Sequence, residues 1–274
     1  MLDLDLENVH VLITGASGGI GLATARLLLE QGAKVTAHHN MTSDILQDLQ
    51  NSPSLFLVGA DLTSESATKS IFGSAVERLG TVHALVVSHG LWIRDDVFLK
   101  DMPLERWKKT MDINLTSTFL VTREFLKGLE DAKARGEDPD KIDKASIVFV
   151  GSNGGRIGEA MHADYSAAKS AMMYGLTLSL KNEIVKIAPK GRVNCVAPAW
   201  VYTPMAADAL KDPAIVYQSL ATTPMKKFGD PFDIAAQIAI LTSAKVSGHV
   251  TGQVAYVTGG MEGRLLNMKE DLQG

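Results

Sequence analysis

Short runs of aliphatic and β-branched residues punctuate the chain at Val9 to Thr14, Lys34 to His38, Leu55 to Val58, His83 to Val87, Ser146 to Val150, Arg192 to Val196 and Gln253 to Val257. Each has the length and composition of a strand. Between them apolar residues recur at intervals of three and four, as in Ile20, Ala23, Leu27 and Leu28 or Ile71, Ala75 and Leu79, the period of a helix with one buried face. Parallel strands need crossover connections, and those crossovers bury the sheet. The alternation therefore predicts an α/β fold: a doubly wound seven-stranded parallel sheet with helices on both faces, Rossmann-like in plan. No repeat or long Pro/Gly/Ser linker divides residues 1–274, so one domain is expected. The charged stretch 130–144, with Gly136 and Pro139, reads as a solvated helix extension and its loop.

Composition narrows the function classes. The 274 residues are 46% hydrophobic, and 27 Lys plus Arg against 31 Asp plus Glu leave a net charge of -4. That balance offers no electrostatic reason to bind nucleic acid or anionic lipid. No apolar run approaches the roughly 18 residues of a membrane span. The acidic start M-L-D-L-D-L-E-N resembles neither a secretory signal nor a transit peptide. Cys195 is the single cysteine, which excludes an internal disulfide and reads as packing. A cytoplasmic location is the expectation, and the glycosylation sequons at Asn40 and Asn114 then carry no meaning.

The first strand runs into T-G-A-S-G-G-I-G, placing Gly15, Ser17, Gly19, Ile20 and Gly21 at a strand-to-helix turn. Glycines there let the backbone turn tightly and approach a ligand, while free amides and the helix dipole attract a pyrophosphate. The position favours a dinucleotide. The missing G-K-[ST] ending argues against a nucleoside triphosphate. After the second strand comes Ala37-His38-His39-Asn40, with no carboxylate before Asp44. The acid that would bind both ribose hydroxyls of NAD is absent, whereas His39 and Asn40 tolerate a 2′-phosphate, so NADP(H) is favoured over NAD(H). No metal is expected, because the paired histidines point to opposite strand faces without a ligand cluster beside them.

Tyr165 and Lys169 stand at i and i+4 in A-D-Y-S-A-A-K-S-A, at the start of a helical pattern reaching Ile187. Such a pair shares a helix face, and a nearby ammonium lowers a phenol from its usual pKa of about 10 toward the range useful for proton transfer near neutrality. Ser152 lies just past the fifth strand, where a parallel sheet presents its ligand-binding loops.

Taken in order, T-G-A-S-G-G-I-G, Asp61-Leu62, Asn114 in D-I-N-L, Ser152, Y-S-A-A-K and N-C-V-A-P-A-W-V-Y-T-P-M at 194–205 resemble the short-chain dehydrogenase/reductase family over nearly the whole chain. The resemblance implies an NAD(P)-dependent oxidoreductase acting on a ketone or secondary alcohol. Tyr165 would be the general acid/base, Ser152 would bind the substrate oxygen, Lys169 would hold the nicotinamide ribose and lower the phenol, and Asn114 would hold a water in a proton relay. Asp61 and Leu62 would lie at the adenine; Gly90, Pro198, Val201 and Thr203 would lie along the cofactor, with Thr203 at the carboxamide. It also implies a homotetramer, with a dimer as the alternative, and Ser117, Thr118, Ala167, Ala171 and Met172 are candidates for the meeting helix faces.

Two departures stand out. V-S-H-G replaces the family's N-N-A-G, placing Ser88 and His89 before Gly90, and Ala199 replaces the glycine after Pro198. They leave open a silent NADP-binding regulator, while the same fold also permits an epimerase or dehydratase. Residues 199–228, with Tyr202, Met205, Leu210, Tyr217 and Met225, have the composition of a cover over an apolar pocket. Trp92, Ile93, Met161 and His162 are candidate walls near Ser152.

Overall fold

The computed structural model describes residues 3–49 and 52–263. Seven parallel strands form one sheet in the order β3-β2-β1-β4-β5-β6-β7. They are β1 (His10–Thr14), β2 (Lys34–His39), β3 (Leu55–Gly59), β4 (Ala84–Val87), β5 (Ser146–Val150), β6 (Arg192–Pro198) and β7 (Val254–Val257). All seven coincide with the runs read from sequence. β6 continues two residues beyond its β-branched run, because Ala197 and Pro198 still pair with Tyr256 and Val257 of β7.

Alternation along each strand divides the core into two layers. Leu12, Ile147 and Phe149 enter one layer with Ile71, Phe72, Val121, Phe125 and Ile184. Val11, Ile13 and Val148 enter the other with Leu28, Val35, Ile234 and Ile238. The first is roofed by α2 (Glu65–Leu79), α4 (Ser117–Ala134) and α8 (Thr177–Ile187), and the second by α1 (Gly19–Glu30) and α10 (Pro231–Thr242). Both faces are covered, as a parallel sheet requires. The remaining helices are α3 (Leu104–Met111), the short α5 (Pro139–Ile142) and α6 (Gly154–Ile157), α7 (Ala163–Ser170), α9 (Pro213–Ala221) and the short α11 (Ala244–Ser247). The charged stretch is mostly exposed, yet α5 anchors it through buried Ile142.

Two π-turns, Asp112–Thr116 and Ala171–Leu176, join α3 to α4 and α7 to α8. Each inserts extra backbone into a helix and rotates the residues beyond it, a local arrangement frequent at functional sites. The first turn bears on the proposed meeting faces: Ser117 and Thr118 beyond it are turned into the chain's own core, and Met172, inside the second turn, is buried too, whereas Phe119, Tyr174, Leu178 and Val185 are exposed. Among the described residues no helix is long and apolar enough to cross a membrane.

Candidate active site

Strand order reverses direction between β1 and β4, and ligands bind at such switch points beyond the strands' carboxyl ends. The loops there are Gly15–Gly19 after β1, Ser88–Gly90 after β4, Gly151–Ser152 after β5 and the segment beginning at Ala199 after β6.

The first turn is shaped for an anion. Gly15 has φ +65°, a conformation that favours glycine, and Cβ atoms added at Gly15 or Gly21 would lie 2.7 Å from the His89 backbone or 2.3 Å from Gly15 O. α1 starts at Gly19 with no side-chain cap and no acid in its first turn, so its free amides and positive end face the turn. Ser17 and Ile20 sit there half-buried. Thr203 closes on it from the far side: a methyl on Gly19 would meet Thr203 Cγ2 at 2.8 Å.

The two histidines of β2 separate as strand neighbours must. His38 is buried and its Nδ1 accepts from the Gly15 N–H at 3.2 Å, while its Nε2–H donates to Ala60 O at 2.9 Å. Burial lowers its pKa. Thus His38 supports the turn from beneath, a role the sequence reading missed. His39 is half-buried against Gly59, with Nδ1 making no hydrogen bond, and Asn40 is exposed. At the end of β3, exposed Asp61 accepts from Thr63 N–H at 2.9 Å and Thr63 Oγ1–H at 2.7 Å. Leu62 is only 5% exposed and packs in the core, leaving its main chain as the part that can face an adenine.

His89 occupies the position where the family motif carries alanine, and it completes a hydrogen-bond chain between buried Thr14 and buried Ser117. Its Nδ1 lies 2.7 Å from Thr14 Oγ1 and its Nε2 2.6 Å from Ser117 Oγ. With the proton on Nε2 every donor is matched: Thr14 Oγ1–H donates to Nδ1, Nε2–H donates to Ser117 Oγ, and Ser117 donates to Ile113 O at 2.5 Å. Burial holds the imidazole down to about 3, so it stays neutral. The departure from the family motif is therefore a strut joining β1 to the start of α4.

Asn114 lies in the first π-turn, fully buried. Its Nδ2–H donates to Leu91 O at 2.8 Å and its Oδ1 accepts from Leu91 N–H at 2.7 Å. Its side chain holds Gly90–Leu91, and a methyl on Gly90 would lie 3.0 Å from Asn114 Oδ1 and 3.4 Å from Lys169 Nζ. Its main-chain carbonyl accepts from Thr118 Oγ1–H at 2.8 Å, and a carbonyl oxygen with one bond has a second lone pair for a relay water.

Ser152, Tyr165 and Lys169 converge. Gly155 makes this possible: a Cβ there would sit 2.8 Å from Met173 Sδ, 2.9 Å from Ser170 N and 3.0 Å from Lys169 C. Backbone contact between α6 and α7 thus brings the Ser152 loop onto the tyrosine helix. Lys169 is 4% exposed and its Nζ donates to Val150 O at 2.8 Å. It stands 5.8 Å from the Tyr165 ring centroid. Burial pushes the phenol up to about 12; hydrogen bonding with Ser152 acts downward and the Glu159 carboxylate upward. Burial also takes Lys169 down to about 8. The lysine effect expected from the i, i+4 spacing is therefore outweighed in the protein alone, because desolvation dominates and the ammonium is turned toward the strand.

The helix start is fixed by a buried ion pair. Asp164 Oδ2 accepts from Thr110 Oγ1–H at 2.7 Å and Arg106 Nε–H at 3.2 Å. Arg106 also donates to Met161 O at 3.3 Å and to Asp95 O. Of the candidate walls, Trp92 stacks on His162 at 4.7 Å and meets Trp200 edge-on at 6.1 Å. The 199–228 segment is anchored by buried Val201, Ala206 and Ala209. Its Tyr202, Met205 and Met225 are exposed, because the small residues pack inward and these large ones project away, whereas Tyr217 lines an open apolar cavity with Pro213, Val216 and Leu220. Among the described residues no group of three or more His, Cys, Asp or Glu could hold a metal ion.

A glycine turn before a helix, a serine beyond β5 and a Tyr–Lys pair on one helix, all on the edge of a 3-2-1-4-5-6-7 sheet, define an oxidoreductase class. Residues 9–214 match the family described as short chain dehydrogenase, and the chain belongs to the short-chain dehydrogenase/reductase family. It is 34% identical to 3-oxoacyl-[acyl-carrier-protein] reductase FabG of Vibrio cholerae, covering 94% of this chain and 99% of that protein. It is 31% identical to acetoacetyl-CoA reductase of Synechocystis sp., covering 94% and 98%. Among solved structures, a short-chain dehydrogenase/reductase described as glucose/ribitol dehydrogenase from Brucella melitensis superimposes with a TM-score of 0.82 at 30% identity, covering 95% of this chain and 99% of that one.

Proposed function

We propose that this oxidoreductase moves a hydride between NADP(H) and a ketone or secondary alcohol, with Tyr165 as general acid/base. The observation that carries the proposal is the convergence of Ser152, Tyr165 and Lys169 at the sheet edge, around the ordered cradle of Gly15, Gly19, Gly21 and Thr203. When bound, the cofactor supplies the hydride donor or acceptor, its pyrophosphate on the Gly15–Gly21 turn and its nicotinamide end held by Lys169, Pro198, Val201 and Thr203. The Ser152 hydroxyl holds the substrate oxygen beside Tyr165 Oη. In reduction the phenol O–H gives its proton to that oxygen; in oxidation the phenolate takes it back.

NADP(H) over NAD(H) is supported by what closes β2: His39 with an unengaged Nδ1, then exposed Asn40, and no carboxylate to repel a 2′-phosphate. Asp61, Leu62 and Gly90 complete the cofactor contacts, and Asn114 holds the Gly90–Leu91 corner next to Lys169. The 199–228 segment covers a small carbonyl or alcohol substrate. The exposed apolar residues Phe119, Tyr174, Leu178 and Val185 support a homotetramer, or a dimer, and a cytoplasmic location fits the single, buried cysteine.

The test is a pair of measurements on Tyr165→Phe. NADPH binding, followed by fluorescence, should persist and exceed NADH binding, while turnover of a carbonyl panel falls by at least about 10²-fold. Unchanged turnover would reject the role of Tyr165.

A further inference from the structure

Glu159 has no role in the reaction just described, yet the turn between α6 and α7 places it at the reacting groups. A methyl built on Gly154 would lie 3.2 Å from Glu159 Oε2, 3.4 Å from Ser152 Oγ and 3.7 Å from Tyr165 Cε1. The carboxylate therefore borders the same small space as the serine hydroxyl and the phenol ring.

The two carboxylate oxygens are used differently. Oε1 accepts from the Trp92 indole N–H at 3.1 Å and lies 3.7 Å from His162 Nδ1. Trp92 is itself braced by its stack on His162, whose Nε2 lies 2.9 Å from Ile93 O. Oε2 accepts no hydrogen bond among the described residues. The side chain is 31% exposed, so it is fixed at one oxygen and accessible to a ligand at the other.

The surroundings restrict which ligand fits. Trp92 and Trp200 offer two aromatic surfaces at a steep mutual angle, 79°, one from the loop after β4 and one from the segment after β6. Such faces suit the C–H side of a short carbon chain. Nearby charge is acidic: Asp96 lies 3.8 Å from His162 Nε2, and Arg94 and Arg106 are engaged by Asp208 and Asp164. An anionic group beside Glu159 would meet repulsion and lack a free partner. A carboxylate oxygen accepts and does not donate, so its match is a neutral O–H, in a charge-assisted hydrogen bond.

We propose that Glu159 is a specificity-determining residue that accepts a hydrogen bond from a hydroxyl on the carbon next to the reacting carbonyl, making uncharged α-hydroxyketones and the corresponding vicinal diols the substrate class. This rests on the oxidoreductase reading, because Ser152 and Tyr165 must hold the carbonyl oxygen for Oε2 to reach its neighbour. The site discriminates by pairing: a substrate lacking the hydroxyl leaves the acceptor without its partner.

The test uses two ketones differing by one hydroxyl, 3-hydroxybutan-2-one and butan-2-one, each reduced with NADPH. The expected result is a kcat/KM ratio of at least about 10 for the wild-type enzyme, falling to near 1 in Glu159→Leu. Glu159→Gln, whose single amide oxygen stays on the Trp92 N–H and leaves an NH2 donor where Oε2 stood, should also lose most of the preference, and a thermal unfolding midpoint equal to that of the wild type rules out misfolding as the cause. A wild-type ratio near 1, or an equal ratio in Glu159→Leu, overturns the proposal. Absence of turnover with every ketone would instead count against the oxidoreductase reading. In that event quenching of tryptophan fluorescence by butane-2,3-diol against butan-2-ol still decides for Glu159: a diol preference lost in Glu159→Leu supports it, and equal quenching overturns it.

Discussion

Lys169 Nζ donates to Val150 O at 2.8 Å, tying the ammonium to the last residue of β5, two positions before Ser152. The lysine thereby fixes the distance between the tyrosine helix and the serine loop, in addition to any contact with a bound ribose. Its charge is directed at a strand carbonyl, and burial governs the phenol, which stands at about 12. A titration of the protein alone, followed as phenolate absorbance and differenced against Tyr165→Phe, should place Tyr165 well above a free tyrosine. A midpoint near 7 would mean that Lys169 overcomes burial unaided.

Gly155 should tolerate no side chain. A methyl there meets Met173 Sδ and the backbone of residues 169 and 170 at 3.0 Å or less, and α6 cannot retreat without carrying Ser152 away from Tyr165. Gly155→Ala should cost about 1–3 kcal/mol of stability by overpacking. Turnover should fall by at least about tenfold through misplacement. Thermal unfolding and kcat measured together test this, and a fully active, equally stable variant would disprove the close approach.

Arg106 joins three parts of the site through Asp164, Met161 O and Asp95 O. The Arg106 and Asp164 side chains are 9% and 1% exposed. Arg106→Ala strands a buried carboxylate, and a loss of about 3–5 kcal/mol in urea unfolding is expected. A loss below about 1 kcal/mol would show that the pair behaves as an exposed one.

His89 should make the protein acid-sensitive. Its folded pKa of about 3 lies below the usual value of 6.5, so between those limits the unfolded chain binds a proton that the folded chain refuses. Its contribution is complete above pH 6.5 and declines as pH falls, by up to about 1.4 kcal/mol per pH unit. His10, lowered to about 4 by burial, acts in the same direction. Urea unfolding from pH 7.5 to 4.5 should show this decline. In His89→Asn the slope should be shallower by about one proton, at lower overall stability; an identical slope would place His89 in contact with water.

The architecture was legible because its signals are local. β-branched runs and helical spacing depend on neighbours within a few residues, and every strand appeared where they indicated. The order of Ser152, Tyr165 and Lys169 was legible for the same reason: one loop after a strand, one helix face. The helix face beyond the first π-turn was not, since an extra residue of winding sent Ser117 and Thr118 inward. Nor were His38, Glu159 and Arg106, whose partners Gly15, Trp92 and Asp164 lie 23, 67 and 58 positions away.

By itself the amino-acid sequence determined the parallel sheet, the anion turn at Gly15–Gly21 and the presence of a phenol, an ammonium and a hydroxyl at one edge, because hydrophobic period and glycine placement act along the chain. Tertiary structure alone decided what each group experiences: that burial raises Tyr165, that Lys169 turns to Val150, that His89 is a neutral strut and that Glu159 borders the space above Gly154 beside Ser152. Desolvation and hydrogen-bond partnership are properties of what surrounds a side chain, and those surroundings are assembled from segments remote in sequence.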